Sequence, residues 1–195
     1  PDRKEGPTMR IARTQNILRL VGVLVVPLLF QLPVAAYIAR PESQQLTQLL
    51  SDANDEAREL AEDAEETQAL ILSDANWVTH ALMLARVKGH VDNMALITEK
   101  LSKTQESGSE LQEQAVEQML PLVKELSVNT TAAINYLNQN KARPVSDSYT
   151  QYLNKNAETA RELSSMITSL LEYQKSMAEI EKLRSKLIVS EAPTP

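Results

Sequence analysis

Apolar and polar positions divide the chain into two regimes. Leu20 to Ala39, LVGVLVVPLLFQLPVAAYIA, is a run of about twenty residues without a charge. From Pro41 onward, apolar residues instead recur at alternating spacings of three and four, the signature of helices that bury one stripe. The first seam is Leu46, Leu50, Ala53, Ala57, Leu60, Ala64, Thr67 and Ile71. The second is Trp77, His80, Leu84, Val87, Val91, Met94, Thr98 and Leu101. A third runs through Leu111, Ala115, Met119, Leu122, Leu126, Ala133 and Leu137. The fourth carries Tyr149, Leu153, Ala160, Leu163, Ile167, Leu170, Met177 and Ile180.

The seams are separated by residues that cap and turn: Ser73-Asp74-Ala75-Asn76, Glu106-Ser107-Gly108-Ser109 and Asn140-Lys141-Ala142-Arg143-Pro144. Ser109 with Gln112, and Ser148 with Gln151, have capping-box spacing. Pro41 suits a first helical turn and Pro121 predicts a kink. Three helices of about 30 residues and one of about 40, joined by short loops, predict an all-α fold. Its expected form is an N-terminal transmembrane helix followed by an antiparallel up-down-up-down four-helix bundle. The division is 1–19 basic N-terminal segment, 20–40 transmembrane helix, 41–190 bundle and 191–195 tail.

The apolar run is long enough to span a bilayer core of roughly 30 Å. Arg3, Lys4, Arg10, Arg13 and Arg19 precede it, whereas Arg40 and then Glu42, Asp52, Asp55 and Glu56 follow. The positive-inside rule then places the N-terminus in the cytoplasm and the bundle outside the inner membrane of a bacterium. A cleaved leader ending at Val34-Ala35-Ala36 is the competing reading. Composition agrees with helices, since there is one Phe and there are only four Gly. A net charge of −6 argues against a nucleic-acid partner. The absence of Cys removes disulfides and thiolate metal sites.

Little in the sequence suggests chemistry. His80 and His90 are the only histidines. Ten residues apart on one helix, they point roughly 80° away from each other and cannot form an i, i+4 metal pair. The acidic run from Asp52 to Glu66 falls between seam positions and reads as a solvated face, without the Glu-x-x-His partners of a di-metal bundle. Tyr136, Tyr149, Tyr152 and Tyr173 are candidates for a ligand cleft or for bundle packing. Trp77, His80 and Tyr149 are therefore the candidate ligand contacts. Lys182, Arg184 and Lys186, beside Ile180, Leu183, Leu187, Ile188 and Val189, are candidate contacts to lipid headgroups or a membrane partner. No catalytic, metal or cofactor-binding set is expected. Thr67, Thr98, Asn156 and frequent Ala thin the seams, and a thin core commonly gains stability from a partner.

Three segments carry a resemblance: Asn76-Trp77-Val78-Thr79-His80-Ala81, Leu120-Pro121-Leu122-Val123-Lys124-Glu125-Leu126 and Asn129-Thr130-Thr131-Ala132-Ala133-Ile134. In these the chain is similar to single-span, helix-rich bacterial envelope proteins, a likeness that brings no catalytic residues. The bundle plan also resembles the periplasmic four-helix sensor domains of chemoreceptors, without a second span or signalling module after the fourth helix. The expected role is non-enzymatic: an accessory subunit of a larger membrane complex, for instance an energy-converting one such as a reaction-centre/antenna or respiratory assembly. Its expected partners are membrane lipid and other membrane-protein subunits. The alternative is a sensor-like bundle that binds a small molecule and reports through a separate partner.

Overall fold

A computed structural model describes residues 43–190. The expected basic segment, transmembrane helix and tail, together with Pro41, lie outside those residues. Among the described residues there is no strand, and no helix is long and apolar enough to cross a membrane. Four long helices account for nearly all of them: α1 Gln44–Ala69, α2 Trp77–Thr104, α3 Glu110–Gln139 and α4 Asp147–Ser190.

Each helix begins where a short polar side chain satisfies an otherwise unpaired backbone donor. Ser43 accepts from Leu46 N–H, and Asn76 accepts from Val78 and Thr79 N–H. Ser109 accepts from Gln112 N–H, while the Gln112 side chain accepts from Ser109 N–H, closing a capping box. For α4 the cap is Ser146, which accepts from Tyr149 N–H, and not the expected Ser148, which already lies inside the helix. The first two helices end by tightening into 3-10 turns, Leu70–Leu72 and Gln105–Ser107. Helix α3 runs unbroken through Pro121. That proline is exposed, so the missing N–H falls on the solvent side.

The helices pack in a ring, each against its two sequence neighbours, with α4 closing on α1. Cross-helix bonds fix the antiparallel register: Thr168 donates to Asn54 at 2.8 Å, Arg161 to Glu65 at 2.9 Å and Gln68 to Asn154 at 2.9 Å. As residue numbers rise along α1, those of their α4 partners fall. Consequently Ser43, the α2–α3 turn and Gln174 share one end of the bundle. The α1–α2 and α3–α4 loops share the other.

The buried stripes on α1 and α2 follow the expected seams, from Leu46 to Thr67 and from His80 to Leu101. On α3 the stripe differs from the expected one. Gln112, Val116, Met119, Val123, Leu126, Thr130, Ala133 and Leu137 form the regular heptad, with Leu111 and Leu122 only partly buried beside it. On α4, Met177 and Ile180 face solvent, because the other three helices have ended by that level.

Apolar packing separates into a larger cluster, including Leu50, Leu60, Met94, Met119, Leu126 and Leu163, and a smaller one around Leu84, Leu137, Tyr149 and Leu153. Buried polar residues accompany them. Thr67 and Thr98 return their hydroxyls to the carbonyl four residues back, on Asp63 and Met94. The Thr130 hydroxyl and both ends of the Asn156 amide make no hydrogen bond to a described group. Such groups reduce the net yield of burial.

Candidate functional site

The six candidate residues do not converge. Trp77, His80 and Tyr149 sit at the loop end of the bundle, whereas Lys182, Arg184 and Lys186 lie about 50 Å away along α4, at 1.5 Å per residue.

At the loop end, the seam position of His80 turns its ring inward from α2, and the first turn of α4 brings Tyr149 to meet it. His80 Nδ1 is 3.1 Å from the Tyr149 hydroxyl, and the rings meet edge to face at 5.4 Å. Tyr136 stacks against Tyr149 at 5.8 Å. Lys141, from the α3–α4 loop, holds its Nζ 4.8 Å from the centre of the Trp77 ring. His80 and Tyr149 are fully buried in this packing. The four tyrosines line no shared cleft: Tyr136, Tyr149 and Tyr152 belong to the smaller apolar cluster, and Tyr173 lies towards the opposite end.

Burial lowers the proton affinity of His80 below the ordinary imidazole value and raises that of the Tyr149 phenol. Both groups are therefore neutral near pH 7. Either the phenol donates to Nδ1 or the ring Nδ1–H donates to the phenol oxygen. In both tautomers Nε2 has no hydrogen-bond partner among the described residues. The pair is a packed core contact.

This arrangement has a measurable consequence. As pH falls below the unfolded value of about 6.5, the unfolded chain takes up a proton that folded His80 resists. His80 thus lowers stability on acidification, by at most about 1.4 kcal/mol per pH unit, and adds no pH dependence above that value. The urea midpoint of the native chain is expected to fall between about pH 7.5 and about pH 5.5. In His80→Phe the fall is expected to be shallower by that one-proton contribution. Equal slopes would contradict the assignment.

At the other end, α4 outruns its neighbours. Gln174 is its last buried residue, and every side chain from Lys175 to Leu187 is exposed. The helix continues to Ser190, so the projecting arm is about 24 Å long. Tyr173, Met177, Ile180 and Leu183 follow at spacings of four, three and three, which aligns them along one side. They are 53%, 44%, 57% and 57% exposed. Lys175, Lys182 and Lys186 lie on the opposite side with Glu179, Glu181 flanks the stripe, and Arg184 falls within its line one turn beyond Ile180. Four basic residues against two acidic ones give the arm from Lys175 a net charge of +2, within a chain whose net charge is −6.

A groove of about 450 Å³ between α2 and α3 is lined by Thr98, Glu99, Ser102, Leu120, Val123 and Lys124 among others, and holds none of the candidate residues. His90, set aside as a ligand on sequence grounds, meets carboxylates of α1 across the helix interface. Asp63, read as part of a solvated face, is buried in that interface. Its heptad register adjoins the Ala64 seam position, the one signal that could have placed it there.

Comparison with protein-family models, characterised proteins and solved structures finds no match for this chain.

Proposed function

We propose that this chain is a non-enzymatic interaction protein: a helical bundle tethered to the membrane by residues 20–40, which docks onto a larger membrane complex through the projecting arm of α4. The observation that carries this reading is the arm itself. This amphipathic helix of about 24 Å carries four large side chains about half exposed along one side, and no described helix packs on that surface. It projects from the end at which the chain enters the bundle at Ser43, a few residues after the apolar run. A bundle of this kind acts as a spacer or clamp, supplying surface and position without chemistry.

The reading is tested by extracting the full-length chain from native membranes in mild detergent. Stoichiometric co-purification of a membrane complex is expected, with a photo-crosslinker at position 183 labelling one of its protein subunits. The double variant Ile180→Glu, Leu183→Glu is expected to lose the complex while keeping the thermal midpoint of the native chain, since both positions are exposed. A native chain that always elutes alone, or a double variant that retains its partners, would refute docking through the arm.

A further inference from the structure

Midway along the bundle, Glu56 and Glu59 lie one turn apart on α1, and His90 reaches them from α2. His90 Nδ1 is 2.6 Å from Glu56 Oε1 and 4.0 Å from Glu59 Oε2. One carboxylate oxygen from each glutamate and one ring nitrogen all fall within 4.8 Å of one another. Asn93 donates to the same Glu56 oxygen at 3.2 Å.

Behind the imidazole stands Asp63. Its side chain is 5% exposed; Arg86 holds Oδ1, and Oδ2 lies 3.2 Å from His90 Nε2 with no hydrogen bond of good geometry. Nδ1 hydrogen-bonds to Glu56 Oε1, and a carboxylate only accepts, so this nitrogen carries the ring proton; a cation would displace it to Nε2, beside the buried Asp63 carboxylate, and take the freed Nδ1 lone pair. Three electron-rich atoms then face one point. Glu56, Glu59, Asp63 and Glu66, set against Arg86, leave a formal charge of −3 around it, counting the imidazole as neutral. A cation relieves that repulsion, and the carboxylate–imidazole–metal relay is the usual way of orienting a histidine ligand.

We infer that Glu56, Glu59 and His90 form a binding site for a first-row divalent cation of the zinc type, with Asp63 as the positioning residue behind His90. Metal–ligand bonds of 2.0–2.2 Å in a tetrahedron hold ligand atoms about 3.4 Å apart. The two His90 distances, 2.6 and 4.0 Å, bracket that value. Glu56 therefore withdraws slightly, and Glu59, whose side chain is 68% exposed, swings in. Three protein ligands leave a fourth position for water. The imidazole selects against Ca²⁺ and Mg²⁺, which require six or more oxygen ligands. Because its ligands come from both helices, the ion ties α1 to α2. This inference stands apart from docking through α4.

The test uses the untagged full-length chain in detergent, freed of metal by chelation and titrated with Zn²⁺ in a calorimeter, with elemental analysis after dialysis. One Zn²⁺ per chain is expected. His90→Gln and Glu59→Gln should each weaken binding at least tenfold, and Asp63→Asn between about tenfold and a hundredfold. The exposed position of Glu59 keeps that variant folded. Ring ¹⁵N shifts supply a second readout: Nδ1 of His90 should move on zinc addition while the buried His80 stays fixed. Absent uptake, undiminished uptake in His90→Gln, a stationary His90 signal, or equal affinity for Ca²⁺ would each overturn the assignment.

Discussion

Replacing Gln112 with alanine is expected to destabilise the bundle by about 3 kcal/mol, although the residue is polar and lies one turn into a helix. Its side chain is fully buried and spends both ends of its amide. The oxygen accepts from Ser43 N–H and Ser109 N–H, each at 3.1 Å. The nitrogen donates to Thr47 Oγ1 at 3.0 Å and to the Ser43 carbonyl at 3.4 Å. One amide thus caps the starts of α1 and α3, which sit diagonally in the ring. Removing it strands two partly buried N–H groups, each costing about 1–3 kcal/mol, and opens a small cavity. Gln112→Met keeps most of the volume and loses the hydrogen bonds, so it should recover only the cavity contribution. Urea unfolding of the three chains measures this ordering; a methionine variant as stable as the native chain would show that the amide contributes only bulk. Gly108 belongs to the same arrangement. A Cβ there would collide with Leu46 Cδ1 and sit 2.9 Å from Gln112 Oε1.

The second large effect lies in the main apolar cluster. Leu60 is fully buried near the middle of the first-helix seam. Leu60→Ala should cost about 3–4 kcal/mol, the removed transfer energy together with the residual cavity. Against a total stability of about 5–15 kcal/mol, that lowers the thermal midpoint by roughly 10 °C. Leu82, on α2 but 64% exposed, makes the same exchange a control, and Leu82→Ala should stay within about 0.5 kcal/mol. Similar losses at both positions would contradict the assigned burial.

Much of the fold was legible because these helices obey one rule at a time. Where a seam is carried by apolar residues, as from Leu46 to Ala64 and from Leu84 to Met94, spacing alone identifies the buried side. The α3 stripe was misplaced at its start because Leu111 and Leu122 are large and apolar, while the true seam passes through Gln112 and Thr130. Gln112 qualifies for the interior through hydrogen bonds whose α1 partners lie 65 to 69 residues away in sequence, whereas Thr130 is buried without one among the described groups. His90 escaped for a related reason. Its pairing with Glu56 and Asp63 depends on how α1 and α2 align, which no pattern within one helix reveals. On α4, periodicity continues beyond Gln174 although no neighbouring helix among the described residues remains to cover it. Period identifies an apolar side but not whether anything packs against it.

The arm leaves from the side where the chain arrives because the backbone traverses the bundle four times, and any even number of passes returns to its starting side. Parity therefore governs which way the arm points. Deleting or adding one traverse would carry it roughly 40 Å to the opposite face and would require a rebuilt interior. Insertions in the connecting loops leave that polarity untouched, so loop length is free to drift while helix count is not.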